Sequence, residues 1–188
     1  MTYPTTPKFT AVGIESVDPT LVSEALSGRM QSRKIGSQKW KFTASYAPLT
    51  RSEFAPVWAF LASQRGRHGV FTIILPELSN TSGTATGTVT TTAASIGASS
   101  VTVSGLSGIL KAGDFVKFSG HDKVYVLTAD RSGAGAISIV PELISAVGAE
   151  QLIYGSVPFT VRMSNDVQSY SVGKDMMFSN EVDFVEAI

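Results

Sequence analysis

The 188-residue sequence contains no cysteine and only two histidines, His68 and His121. The absence of cysteine excludes disulfides, thiolate nucleophiles and every zinc or iron–sulfur site with cysteine ligands. Two histidines cannot build a multi-histidine metal centre within one chain. Charged residues make up only 16% of the sequence, with fifteen bases balanced by fifteen acids. A chain with no net charge lacks the broad attraction to phosphate that duplex-binding and membrane-surface proteins use.

Long apolar runs are also missing. None approaches the roughly 20 residues of a membrane-spanning helix, and Met1–Pro4 is not a charged segment leading into an apolar stretch, so no secretory signal is predicted. Leucine-rich helical stretches are few, whereas Gly, Ser and Thr are abundant, which favours a β-rich protein. These features indicate a structural or binding protein.

Composition divides the chain into three segments. The first, to about residue 78, carries most of the aromatic and basic residues; the second, to about residue 155, is rich in Ser, Thr, Gly, Ala and Val; the third recovers Phe, Tyr and Met. Inserted domains enter at exposed loops that bring two chain ends together. We therefore expect a discontinuous outer domain from residues 1–80 and 156–188, interrupted by an inserted small β-barrel from residues 81–155.

The outer segments show strand patterns and one helix. In residues 39–43, Trp40 and Phe42 alternate with polar residues, as in a half-buried strand. A helix is predicted over about 52–65, since four apolar residues fall on one stripe and Thr50 and Glu53 have capping-box spacing; the stripe is Phe54, Val57, Trp58 and Leu61. We expect Phe54, Trp58 and Leu61 to pack on the outer sheet.

The middle segment has short alternating strands at 8–12 residue spacing with no helix between them, which is typical of a small barrel or sandwich. The clearest is residues 99–104, followed by turn glycines at 105 and 108. A disordered linker is the alternative interpretation of the Ser/Thr-rich stretch.

No catalytic, cofactor or metal site is predicted. His68 follows the helix in a basic turn, where it complements the helix dipole, and His121 lies at an expected hairpin turn. No nucleophile motif accompanies either one, and the acids are scattered without the spacing of a calcium loop. An enzyme is therefore not expected.

One charge pattern stands out. Five bases lie between residues 29 and 41 with no acid among them, and four acids lie between residues 175 and 188 with no base; the bases are Arg29, Arg33, Lys34, Lys39 and Lys41, and the acids are Asp175, Glu181, Asp183 and Glu186. In one hypothesis the five bases form a subunit interface or line a channel, matched by the acids of another copy. In the other, the two segments are neighbouring strand faces that neutralise each other within one chain. The sequence alone does not separate the two.

Several segments together resemble the minor tail proteins of long-tailed bacteriophages, and among these the distal tail proteins most. They are residues 28–40, the helix at 51–64 with its basic end at 65–67, Phe71, and the strand-like segments within 99–116 and 123–143. The resemblance spans most of the chain, and none of its motifs is catalytic.

The resemblance implies a mainly β fold with one helix: a tail-tube-like β-sandwich or barrel ring domain carrying an inserted oligonucleotide/oligosaccharide-binding-like (OB-like) barrel. It implies a hexameric ring at the virion tail tip that joins the tail tube to the baseplate hub, made in the host cytoplasm. The implied partners are further copies of the chain, the tail tube protein, and the hub and tape measure proteins. Viral DNA would pass through the ring channel without sequence-specific binding.

A tail protein that adsorbs to host glycans through its middle barrel is the alternative function. Such a module needs exposed aromatic platforms, and the middle segment offers only Phe115, Phe118, Tyr125 and Tyr154. All but one of these fall within apolar strand runs, which favours core positions.

Overall fold

The computed structural model describes residues 1–188. Up to the middle segment the elements are β1 (Ala11–Val17), β2 (Thr20–Glu24), β3 (Met30–Lys34), β4 (Lys39–Ser45), α1 (Arg51–Ser63) and β5 (Phe71–Ile73). The middle segment contains β6 (Val89–Thr91), β7 (Ser100–Ser104), β8 (Ile109–Leu110), β9 (Phe115–Phe118), β10 (Val124–Leu127), β11 (Arg131–Ser132), β12 (Gly135–Val140) and β13 (Gln151–Ile153). The chain ends with β14 (Phe159–Met163), β15 (Ser171–Val172), β16 (Phe178–Ser179) and β17 (Glu181–Glu186).

Strands from both ends of the chain form one five-stranded antiparallel sheet in the order β1-β4-β17-β14-β5. The alternation in β4 has the predicted effect, because Trp40, Phe42 and Ala44 are buried while the residues between them are not. Phe42 lies opposite Ile14 on β1 and Phe184 on β17. One face of the sheet thereby faces the hydrophobic core.

The single α-helix covers this core. Its first turn is held by the Glu53 carboxylate, which accepts hydrogen bonds from the Thr50 N–H (2.9 Å) and hydroxyl (2.7 Å); these bonds lower the pKa of Glu53. Helix α1 spans Arg51–Ser63, close to the predicted range. None of the helices has the length and apolar character that a membrane span requires.

The apolar stripe of the helix differs from the prediction at one position. Phe54, Val57 and Leu61 are buried in the core shared with the sheet, but Trp58 is only half-buried. Its ring lies at the edge of the stripe, 4.7 Å between centroids from Tyr170. The helix therefore packs on the sheet mainly through positions i, i+3 and i+7, and the half-buried Trp58 contacts both the margin of this core and the segment before β15.

The middle segment forms a closed six-stranded barrel in the order β10-β12-β7-β6-β13-β9. Alternation sends Val101 and Val103 of β7 inward and leaves Ser100 and Thr102 outside. A second buried cluster of fourteen apolar residues fills the barrel. The predicted fold class, mainly β with one helix and a small barrel, is confirmed. The Ser/Thr-rich stretch forms β6 and β7 rather than a disordered linker.

Tyr125 in the barrel core predicts a loss of stability at alkaline pH. Burial raises its pKa to about 12 from the ordinary value of 10.0. Between these values the unfolded chain releases the phenol proton while the folded chain keeps it, so the free energy of unfolding falls as pH rises. Compared with Tyr125→Phe, we expect the wild type to lose about 2 kcal/mol more between pH 10 and 12. Urea unfolding of both proteins across this range measures the difference, and parallel pH profiles would contradict it.

Candidate assembly surfaces

A two-stranded β-arm continues beyond the β1–β4 pair. Strands β2 and β3 pair only with each other, and every residue of both is exposed. Several exposed side chains of the arm are large and apolar, with exposed fractions of 52% to 112%: Leu21, Val22, Leu26 and Met30. An isolated two-stranded hairpin is at best marginally stable in water, and clustered exposed apolar groups mark interaction surfaces. The arm, residues 20–34, is thus a candidate interaction surface.

The five basic residues singled out in the sequence separate into two groups. Arg29 lies in the turn of the arm and Arg33 and Lys34 lie on β3, whereas Lys39 and Lys41 lie on β4 within the sheet. All five are exposed. The structure therefore brings Arg29, Arg33 and Lys34 together on the arm and places the two β4 lysines on the open face of the sheet.

The open face of the sheet carries charges of both signs. Lys41 on β4 lies opposite Glu15 on β1 and Val185 on β17. Asp183 on β17 lies opposite Thr43, whose hydroxyl donates to its carboxylate at 2.8 Å. Neutralisation within one chain, the second hypothesis from the sequence, fits this face, and it also fits Lys34 at the base of the arm, whose ammonium lies 3.8 Å from the Asp18 carboxylate of the same chain.

Glu186 is not part of an exposed acidic surface. Its side chain is completely buried, as is that of Lys123 on the barrel, and the two form an ion pair between sheet and barrel. Lys123 Nζ also donates to Gln38 Oε1 at 2.7 Å, and the Glu186 carboxylate accepts the backbone N–H groups of Trp40 (3.2 Å) and Val124 (2.9 Å). Burial lowers the pKa of Lys123, and the charge of Glu186 opposes this shift.

Aromatic packing accompanies this ion pair. The Trp40 indole N–H donates to the Val124 carbonyl at 2.9 Å, and its ring meets the Phe115 ring edge-on at 5.3 Å. Lys123 Nζ lies 5.5 Å from the centre of the same indole ring. The contact between sheet and barrel is therefore an ordered polar and aromatic junction, defined here as Gln38, Trp40, Phe115, Lys123, Val124 and Glu186.

The two histidines have structural positions. His121 is buried, with Nδ1 3.3 Å from the Tyr125 hydroxyl and Nε2 3.2 Å from the Ala146 carbonyl. His68 ends a short 3₁₀ turn and is exposed. The His, Asp and Glu side chains form no group of three that would hold a metal ion.

The barrel lacks the aromatic platforms of a glycan-binding surface. Phe115, Phe118 and Tyr125 are buried in the core. Tyr154 is half-buried, and its hydroxyl donates to the Gly87 carbonyl at 2.5 Å. The structure thus gives no support to the glycan-binding alternative for this barrel.

Sequence reasoning missed both the arm and the junction. In β2 (Thr20–Glu24), the apolar residues Leu21 and Val22 are adjacent, so apolar and polar residues do not alternate and the sequence does not predict a strand. For the junction, one signal was present: Lys123 directly precedes the buried strand β10, where a lysine needs a partner. Its partner Glu186 is 63 residues away, and only the fold pairs them.

Comparison with known proteins gives one informative match. No family model matches the chain. This chain is 31% identical over 173 residues to distal tail protein pb9 of Escherichia phage T5. The match covers 86% of this chain and 84% of that relative.

Proposed function

Because this chain belongs to the bacteriophage distal tail proteins, we propose that it forms an oligomeric ring at the tail tip that joins the tail tube to the baseplate hub. A structural role in the phage tail follows from the family. The ring, its position and its neighbours are the proposal. The observation that carries it is the arm, a hairpin whose strands pair only with each other and which exposes large apolar side chains.

The proposed ring contains six copies around a channel wide enough for viral DNA. Its other partners are the tail tube protein, the baseplate hub and the tape measure protein, and it belongs to the virion after synthesis in the host cytoplasm. Catalysis has no part in the proposed role.

We assign the ring to the discontinuous domain of residues 1–80 and 156–188, with residues 81–155 as an inserted OB-like domain. Two observations support this division. The five-stranded sheet draws its strands from both sides of the barrel segment. The buried apolar residues also fall into two clusters, one centred on the sheet and α1 and the other within the barrel.

The five bases from the sequence are assigned to the ring in two positions. Arg29, Arg33 and Lys34 belong to a subunit boundary, since they lie on the uncovered arm. Lys39 and Lys41 lie on the open sheet face and are assigned to the boundary or the channel wall.

Reversing the charge of the arm tests the ring. We expect Arg29→Glu/Arg33→Glu/Lys34→Glu to weaken self-association about ten- to a hundredfold, because three weak surface attractions become repulsions. The effect should be largest at low salt, where screening is least. Light scattering against concentration and salt measures it.

The matched control is Lys111→Glu, another exposed base, located on the barrel and paired with Asp130 at 2.6 Å. It should assemble as the wild type does. A wild-type chain that stays monomeric alone and is present in single copy in the tail would contradict the ring.

A further inference from the structure

A second uncovered surface, residues 165–181, lies near the end of β4 that is opposite to the arm. Strands β15 and β16 form a separate hairpin, which is bridged to the rest of the chain at Phe178 and Leu49. The segment around this hairpin exposes Val167, Tyr170, Val172 and Met176. Unlike the arm, this hairpin is anchored on α1: the Phe178 and Phe54 rings are stacked 5.1 Å apart, and Tyr170 contacts Phe54 and Trp58. It is a fixed surface with an uncovered apolar side.

A polar cleft of about 440 Å³ adjoins this hairpin and contains an unpaired amide. The cleft is lined by serine hydroxyls, Tyr46, Tyr170, Asn180 and Glu181. Asn180 is only 8% exposed, and neither its amide oxygen nor its amide nitrogen has a hydrogen-bond partner. A buried amide left unpaired is costly, and its donor and acceptor match those of a peptide group. Both amide atoms are closed off from solvent in this conformation, so a segment of polypeptide in the cleft would pair with them when the Asn180 side chain turns toward it.

The arm and this surface are complementary in charge. The arm, residues 20–34, has three bases and one acid, Glu24. The second surface, residues 165–181, has three acids and one base, Lys174; its acids are Asp166, Asp175 and Glu181. Both also expose large apolar side chains. Two surfaces of opposite charge and shared apolar character are suited to each other.

The arm cannot reach the cleft of its own chain. It continues from the end of the sheet where Val17 pairs with Lys39, whereas the cleft is lined by Ser45 and Tyr46 at the opposite end of β4. A seven-residue strand separates these ends by about 20 Å, and no residue of the arm lines the cleft. An arm that occupies this cleft must therefore come from another molecule.

We infer that the surface of residues 165–181, termed the acceptor, binds the arm of a neighbouring copy of this chain. This inference rests on the proposed ring and names its subunit contact. The two surfaces differ, so the contact is head-to-tail, the type that closes into a ring when the rotation fits. An arm-to-arm contact would instead bring like charges together.

Cysteine cross-linking in the full chain tests the contact, because the wild type has no cysteine. Met30→Cys labels the arm and Val172→Cys labels the acceptor; both positions are exposed. The two variants are mixed and treated with a flexible bis-maleimide. We expect a covalent dimer in the mixture and none from either variant alone. Ile109→Cys on the barrel, mixed with Met30→Cys, is the control and should give no dimer.

A charge-reversal pair provides a second readout that does not depend on the exact register. Asp175→Lys/Glu181→Lys reverses exposed acids of the acceptor. Alone, it should weaken self-association about tenfold or more, as the arm triple reversal does. In a mixture, the arm of each reversed protein is complementary in charge to the acceptor of the other, so mixed assemblies should form with about wild-type affinity although neither protein assembles well alone.

The outcomes separate this inference from the ring. A discrete ring without the Met30–Val172 cross-link, or a cross-link from Met30→Cys alone, would overturn the inference and leave the ring standing. The cross-link together with unlimited growth in mass would support the contact and overturn the ring. If the wild type is monomeric alone, the same cysteine pair is examined in assembled tails, where a missing cross-link overturns the inference.

Discussion

Glu186→Ala should destabilise the protein by about 3–5 kcal/mol, since removing one partner of a buried ion pair leaves an uncompensated charge. The charge left without a partner is the ammonium of Lys123, whose side chain is completely buried. Two backbone N–H groups, those of Trp40 and Val124, lose their acceptor in the same substitution. The loss in free energy of unfolding therefore has two sources, an unpaired buried charge and two unpaired N–H donors. Chemical denaturation of the full chain measures this loss.

Two variants test this explanation. Glu181→Ala removes an exposed acid from the same strand and should change the free energy of unfolding by no more than about 0.5 kcal/mol. Lys123→Met/Glu186→Gln removes both charges and keeps an acceptor oxygen for one of the two N–H groups, so it should be more stable than Glu186→Ala. Equal losses for Glu186→Ala and Glu181→Ala would contradict the assignment.

The ion pair bears on assembly because it joins the sheet to the barrel. Lys123 immediately precedes β10 of the barrel, and Glu186 ends β17 of the sheet. Directional hydrogen bonds and an ion pair tolerate few alternative geometries, unlike apolar packing alone. The junction therefore holds the barrel in one orientation on the sheet, as a ring with fixed attachment points requires.

Local patterns made the strands and the helix predictable. The alternation of apolar and polar residues identified Trp40 and Phe42 as buried residues of β4, and the capping-box spacing located the start of α1. Trp58 was misplaced because helical periodicity defines a stripe but not its edges. The edge depends on Tyr170, which lies 112 residues further along the chain.

The candidate site was less predictable because it depends on pairing. The run of bases from Arg29 to Lys41 looks continuous, but the β1–β4 register ends at Lys39 and pairing resumes only at Lys34. At this break, the two residues 18–19 lie opposite the four residues 35–38. Because the two segments differ in length, the strand ladder bends here. A Cβ on Gly36 would lie 2.9 Å from the Pro19 ring, so the bend also needs glycine there. None of these contacts is visible in a charge pattern.

Trp40→Ala should also destabilise the protein by about 3–5 kcal/mol, since it removes a large aromatic side chain and leaves a cavity at the junction. Trp40 is 8% exposed, packs edge-on against Phe115 and donates to the Val124 carbonyl. Trp40→Phe keeps a ring but loses the donor, so we expect a smaller loss of about 1–3 kcal/mol. Because Trp40 and Glu186 share the junction, the double substitution Trp40→Phe/Glu186→Gln should deviate from additivity by at least about 0.5 kcal/mol. Chemical denaturation of the four proteins in this cycle measures the coupling. Strict additivity would show that Trp40 and Glu186 act independently. A Trp40→Ala protein as stable as Lys41→Ala on the open face of the same strand would show that the indole contributes little to the contact between sheet and barrel.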